Sequence, residues 1–325
     1  MISIKHNLSL LVIFLLLAAG SIFIGLIFGS VDISPSKITH ALLSPIDDTT
    51  SQIIWQLRLP RVLAAFACGS LLALAGALLQ ILLRNPLADP YILGISGGAT
   101  VGAFTAMMLG WGLFLINLMS LVGALTATVI VFRLSFRAGD WNLYRLLLTG
   151  VVLSAGCAAL TALFLTLAPT NNIKGMLFWL MGDVSRSEDI LPAWIILFIV
   201  ATTSVIFSRD LNILSLGEMK AKTLGVAILP LQIGIYFFAS LATMAALMLA
   251  GAIGFVGLIV PHAIRLMGVN DYHRLIPLSI LLGGSFLTLA DTLARTLWAP
   301  QQLPVGILTA LLGVPMLLIL LAKKR

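Results

Sequence analysis

Asp291 and His262 stand out as ionisable residues inside otherwise apolar stretches, and a titratable group at membrane depth is a functional candidate by default. Each also has a structural reading. Asp291 lies one helical turn before Arg295, the spacing of an i,i+4 ion pair, and His262 follows Pro261, whose missing N–H frees a carbonyl that needs a donor. The structural readings are preferred, and neither residue is assigned to a proton relay. The sequence holds no His-Glu-x-x-His, no paired Asp cluster and no Ser/His set within one membrane depth, so intramembrane hydrolysis has no residues to carry it. Nor does Gly-x-x-x-x-Gly-Lys-Ser/Thr occur, the run that cradles ATP phosphates. Cys68 and Cys157 each sit in an apolar run, where a thiol behaves as a small hydrophobe; neither a disulfide, a metal nor a cofactor is expected.

The elements that hold these residues are apolar to a degree that water does not tolerate. Of 325 residues 60% are hydrophobic and only 10% charged, with a mean hydropathy of +1.11, against roughly 25% charged in a soluble domain. The formal charge is +7, but the basic residues are scattered between apolar runs instead of forming a face interleaved with aromatics, which excludes nucleic acid as a partner.

A bilayer core about 30 Å thick takes roughly 20 apolar residues per helix. Runs bounded by charge, Gly or Pro predict about ten spans: Leu8–Gly29, Val62–Leu83, Ile92–Gly110, Leu113–Phe132, Leu146–Ala168, Ile190–Phe207, Leu229–Ala250, Phe255–Met267, Leu275–Trp298 and Leu303–Ala322. The first outruns a signal-peptide core of about 7–15 residues and reads as an uncleaved helix. The eighth is short, and Gly251, Gly254 and Gly257 ahead of it predict a broken entry covered by protein or water. Pairs such as Gly98 with Gly102 and Ala73 with Ala77 predict closely packed helices.

Ten spans put both termini on one side, and that side carries about twice the Lys and Arg of the other, so both termini are expected in the cytoplasm. Two connections look structured. The outer one, about 169–189, contains a short apolar segment that predicts an interfacial helix with Trp179 near headgroup level. The inner one, about 209–228, predicts one or two amphipathic helices with Leu216, Met219 and Leu224 on a face that a partner would bury.

Six blocks then occur in one order along the chain: Arg58-Leu59-Pro60-Arg61; Asn85-Pro86-Leu87-Ala88-Asp89-Pro90-Tyr91-Ile92-Leu93-Gly94-Ile95-Ser96-Gly97-Gly98-Ala99; Ser215-Leu216-Gly217-Glu218; Gly251 through His262; Asp291-Thr292-Leu293-Ala294-Arg295; and Leu303-Pro304-Val305-Gly306. Together they resemble the FecCD-type permeases of ABC importers, which carry iron-siderophore, haem and cobalamin. The resemblance implies an all-α polytopic protein of the type II importer architecture, a single permease domain over 1–325. Its expected partners are a separate ATP-binding subunit, a periplasmic or lipid-anchored solute-binding protein and a second permease copy, in the bacterial inner membrane. One departure is visible: the family commonly places Glu before Leu-Pro-Val-Gly, and here the residue is Gln302.

The same resemblance assigns roles. Leu216, Gly217, Glu218, Leu224 and Gly225 fall on the segment that couples to the ATP-binding subunit; on composition alone it would be a solvated charged face. Arg58, Arg61 and Arg295 match residues that dock the binding protein's carboxylates, a pairing that guanidinium forks suit; headgroup anchoring is the alternative. Asn85 and Leu87, with Leu143 and Tyr144, match the cytoplasmic gate, where the other reading is a Pro-stiffened turn. The expected function is a path for a metal chelate opened by ATP-driven alternating access. The alternative, an ion-gradient-driven secondary transporter, needs intramembrane carboxylates and inverted repeats, for which Asp291 is the one candidate of note.

Overall fold

The computed structural model describes residues 2–29, 33–43, 49–137, 140–186, 189–299 and 301–322. Helix α1 (Ile2–Ile27) is followed by α2 (Pro35–Leu43) and α3 (Thr49–Gln52), and a π-helical stretch, Ile53–Arg58, runs from α3 into α4 (Leu59–Leu82). After the loop come α5 (Ile95–Met108) and α6 (Leu113–Ser135), then a two-stranded antiparallel pair, β1 (Phe136–Arg137) with β2 (Asp140–Trp141). The chain continues through α7 (Leu143–Leu167), α8 (Thr170–Met181), α9 (Leu191–Ile206), α10 (Ser208–Ser215) and α11 (Glu218–Thr223). It closes with α12 (Ile228–Ala250), α13 (Val256–Leu266), α14 (Tyr272–Thr296) and α15 (Val305–Ala322).

Six described helices are long and apolar enough to cross a membrane, and a seventh is added if α9 and α10, bent by 63° at Phe207, count as one span. This corrects the expectation of about ten. The other three runs, α5, α13 and α15, are apolar but short. Local chemistry shortens two of them: α5 starts only after a 3-10 turn at Pro90–Leu93, and α13 starts after Phe255, which has φ 72°. The broken entry to α13 is present, and protein covers it. Ala252 N–H donates to the Trp179 carbonyl at 3.3 Å and Ile253 N–H to the Tyr91 hydroxyl at 2.9 Å.

Helix α4 is the axis of the bundle, buried from Val62 to Leu82 apart from Leu63. It is lined with small residues because other backbones press on it: a Cβ at Gly76 would collide with the Gly257 carbonyl, and one at Gly69 with that of Gly283. The Gly98 and Gly102 pair likewise lets α5 lie against α6 at Gly123 and Met119. Trp179 is buried edge-on against Phe104, because α8 packs inward on α5 and the 251–252 turn.

The C-terminus of α1, the N-terminal approach to α4, the C-terminus of α14 and the segment entering α15 meet at one end of the bundle, through Arg58, Arg61, Arg295 and Gln302. The C-terminus of α4, the 208–228 segment and the N-termini of α12 and α14 meet at the other.

Candidate functional site

The two ends hold the residues expected to dock, couple and gate, and they are built differently. At the arginine end, α1 finishes with no basic residue of its own in its last turn. Its unsatisfied carbonyls, the negative pole of the helix, are capped from elsewhere in the chain. Arg58, placed by the π-helical stretch, donates through Nη1 to the Leu26 and Ile27 carbonyls at 2.6 and 2.8 Å, and Arg295 donates to the Gly25 carbonyl. Asp291, almost fully buried, receives a bidentate fork from Arg61 at 2.8 and 3.0 Å, while Arg295 Nε lies 3.7 Å away. The i,i+4 pair expected from sequence is therefore the weaker of two, and the fork crosses from α4 to α14. Arg61 also donates to Gln302 Oε1 at 2.7 Å.

Three guanidiniums thus share one carboxylate and one helix terminus. A cavity of about 390 Å³ opens among Arg58, Arg61, Arg295, Gln302, Gln56 and Ser185. Arg58 and Arg295 are buried, and the Arg61 side chain keeps 14% of its surface. Of the three expected docking residues, Arg61 is the one that reaches the surface; the other two hold α1 to the bundle.

At the opposite end, α4 closes with Arg84 N–H donating to the Ile81 carbonyl and Asn85 N–H to the Gln80 carbonyl. That two-bond pattern needs a left-handed residue, and Arg84 supplies it at φ 48°. Asn85 Oδ1 then accepts from Leu87 N–H at 2.9 Å, and Asp89 Oδ1 from Tyr91 N–H at 2.8 Å, so the Pro-rich loop is stiffened by its own side chains. Burial pushes the Asp89 carboxyl up to about 6, opposed by that Tyr91 bond. The following 3-10 turn packs on α7, where a Cβ at Gly150 would press on the Ile92 carbonyl. Asn142 caps α7, leaving Leu143 half-buried and Tyr144 exposed. Asn85, Leu87, Leu143 and Tyr144 thus lie at one end of the bundle, on two segments linked by the Ile92–Gly150 approach.

In the 208–228 segment, α10 is pinned: Asn212 donates to Asp271 at 2.6 Å and accepts from Tyr272 N–H at 2.8 Å. Helix α11 stands between Gly217 at φ 105° and Gly225 at φ 80°. Leu216, Met219 and Leu224 are 58%, 84% and 60% exposed, an apolar surface with Lys220 and Lys222 beside it. Glu218 accepts from Arg84 at 2.7 Å and from Gln232 at 2.9 Å. Sequence reasoning missed Arg84 as Glu218's partner, and it missed the chain in which Arg265 donates to Gln80 and to Tyr272. No short-range spacing marks either, since their members lie on different helices.

Among the described residues no group of three or more His, Cys, Asp or Glu is placed to hold a metal. The described residues form a multi-helix membrane bundle with a broken entry to α13 and an exposed loop helix.

The model of the FecCD transport family matches residues 13–323. The uncharacterized ABC transporter permease protein YvrB of Bacillus subtilis (strain 168) is 39% identical over 86% of this chain and 81% of its own. The vitamin B12 import system permease protein BtuC of Escherichia coli O9:H4 (strain HS) is 39% identical over 84% of each chain. A solved structure described as an inward-facing metal-chelate type ABC transporter superposes with a TM-score of 0.87 at 32% identity, covering 97% of this chain and 99% of that one. The PsaBC structure from Streptococcus pneumoniae, at 19% identity and a TM-score of 0.57, shares the fold. The chain belongs to the FecCD transport family and is an ABC importer permease, a multi-pass membrane protein.

Proposed function

We propose that this permease forms the path for a metal chelate, with cobalamin, ferric siderophores and haem as the class, moved by ATP-driven alternating access. The observation that carries the reading is the surface of Leu216, Met219 and Leu224 on a loop helix between two left-handed glycines. Three large apolar side chains held out at a polar end of the bundle call for a partner. The partner proposed is the ATP-binding subunit, with Leu216, Gly217, Glu218, Leu224 and Gly225 seated in it. The Glu218 end is then cytoplasmic, and the helices leading to both chain termini point toward it.

The arginine end then faces outward to a periplasmic or lipid-anchored solute-binding protein. Arg61 is the residue proposed to meet its carboxylates, while Arg58 and Arg295 keep the rim in shape. Asn85, Leu87, Leu143 and Tyr144 are proposed as the cytoplasmic gate, supported by the Gly150 packing that joins their segments. A homodimer is proposed because α7, with 17% of its apolar window buried, leaves Val151, Val152, Ala155, Gly156 and Ala159 uncovered. Small residues of that kind let helices approach closely in a bilayer.

The test is reconstitution in liposomes with the ATP-binding subunit, measuring uptake of cobalamin, a ferric siderophore and haem. The account expects ATP-dependent uptake of one of them, stimulated by a loaded binding protein. Uptake that follows an ion gradient and ignores ATP would overturn it.

A further inference from the structure

We infer that Arg84 is a positioning residue, passing movement of α11 through Glu218 to the loop that begins at Asn85. The inference rests on the coupling role proposed for α11. It starts from a misfit between residue and backbone. Arg84 occupies the left-handed position after α4, at φ 48°, where the two-bond helix ending is normally made by glycine. A bulky residue there is strained, and such strain persists where the side chain is used. The Arg84 side chain reaches Glu218, with Nη2 2.7 Å from Oε1.

The same Oε1 accepts from Gln232 Nε2 at 2.9 Å, so one carboxylate joins α11, the start of α12 and the end of α4. Around Gly217 and Gly225 a Cβ would meet open space, so these glycines serve their left-handed backbone and not close packing. They make α11 a hinged piece, whereas α10 is fixed to α14 through Asn212. What moves at α11 is delivered at Arg84, and the next residue, Asn85, opens the loop through its bond to Leu87 N–H. Arg84 and Glu218 are 43% and 44% exposed, so the pair is weak, screened by salt and able to part and re-form in each cycle.

The discriminating variant is Arg84→Gly, which places the residue the backbone favours and removes the side chain. A merely structural Arg84 predicts unchanged or raised thermal stability and unchanged transport. The inference predicts the same stability, intact assembly with the ATP-binding subunit, and cobalamin or siderophore uptake per ATP lowered roughly three- to tenfold. Arg84→Lys, which keeps a cation within reach of Glu218, is expected to retain most of the uptake per ATP at low salt. Wild-type uptake per ATP in Arg84→Gly would overturn the inference, as would loss of assembly in that variant or an Arg84→Lys protein as impaired as Arg84→Gly. Leu216→Asp with Met219→Asp separates the two readings: if that double variant still assembles, the coupling role itself fails, and if it does not, a normal Arg84→Gly counts against Arg84 alone.

Discussion

The arginine end and the Glu218 end of this permease use the same chemistry, guanidinium against carboxylate, to opposite effect. At the first, Asp291 is buried and forked by Arg61, and Arg58 and Arg295 are spent on the last carbonyls of α1. Such a cluster is costly to disturb, because removing one partner strands a desolvated charge. At the second, Glu218 and Arg84 meet in the open beside a glycine-hinged helix, where the same pairing contributes little to stability. Burial, not residue type, separates a scaffold from a moving part.

Asp291→Ala breaks this contrast most severely. It leaves Arg61 and Arg295 facing each other without a carboxylate, and a loss of about 3–5 kcal/mol is expected in thermal or denaturant unfolding of the detergent-solubilised protein. A near-normal stability would mean that the α1 carbonyls and Gln302 suffice. Asp89→Asn acts at the other end and is smaller. Because burial holds the Asp89 carboxyl at about 6, above its unfolded value, ionising it costs stability that is absent at low pH and grows as pH rises from about 4 to about 6. The amide should therefore stabilise the protein by about 1–2 kcal/mol at pH 7.5 and by nothing at pH 4. An effect of equal size at both pH values would point instead to the Tyr91 hydrogen bond.

Gln302→Glu and Glu218→Gln sharpen the comparison at its small end. Glutamate at 302 gives Arg61 a second carboxylate at a half-open rim, and glutamine at 218 removes the exposed pair. Each should change unfolding stability by less than about 1 kcal/mol. They differ in the functional readout: the first should alter association with a binding protein and its salt dependence, the second the uptake per ATP.

The membrane nature of the chain, its helices and the 209–228 segment are legible in sequence because hydropathy and amphipathic spacing are local. The span count was overestimated because the apolar runs Ile92–Gly110, Phe255–Met267 and Leu303–Ala322 contain helices shorter than the runs themselves, Ile95–Met108, Val256–Leu266 and Val305–Ile319. The sites divide in the same way. Glycine hinges and the exposed Leu216, Met219 and Leu224 lie within ten residues and could be read directly. The Arg61–Asp291 fork spans 230 positions and the Arg84–Glu218 pair joins two distant helices, so neither leaves a periodic trace. The expectation of an Arg295 pair within one helix turn was reasonable locally, but packing of α4 on α14 brought a better partner. The edge-on contact of Trp179 with Phe104 shows the same limit, since it joins two helices distant in sequence.

The account turns on the two ends facing opposite aqueous compartments. Single cysteines at Gln56, beside the arginine cavity, and at Lys222, on α11, both exposed, can be probed in intact cells with a membrane-impermeant maleimide. Labelling at 56 without permeabilisation, and at 222 only after it, is the predicted result. Reversal of that pattern, or equal access to both positions from outside, would contradict it.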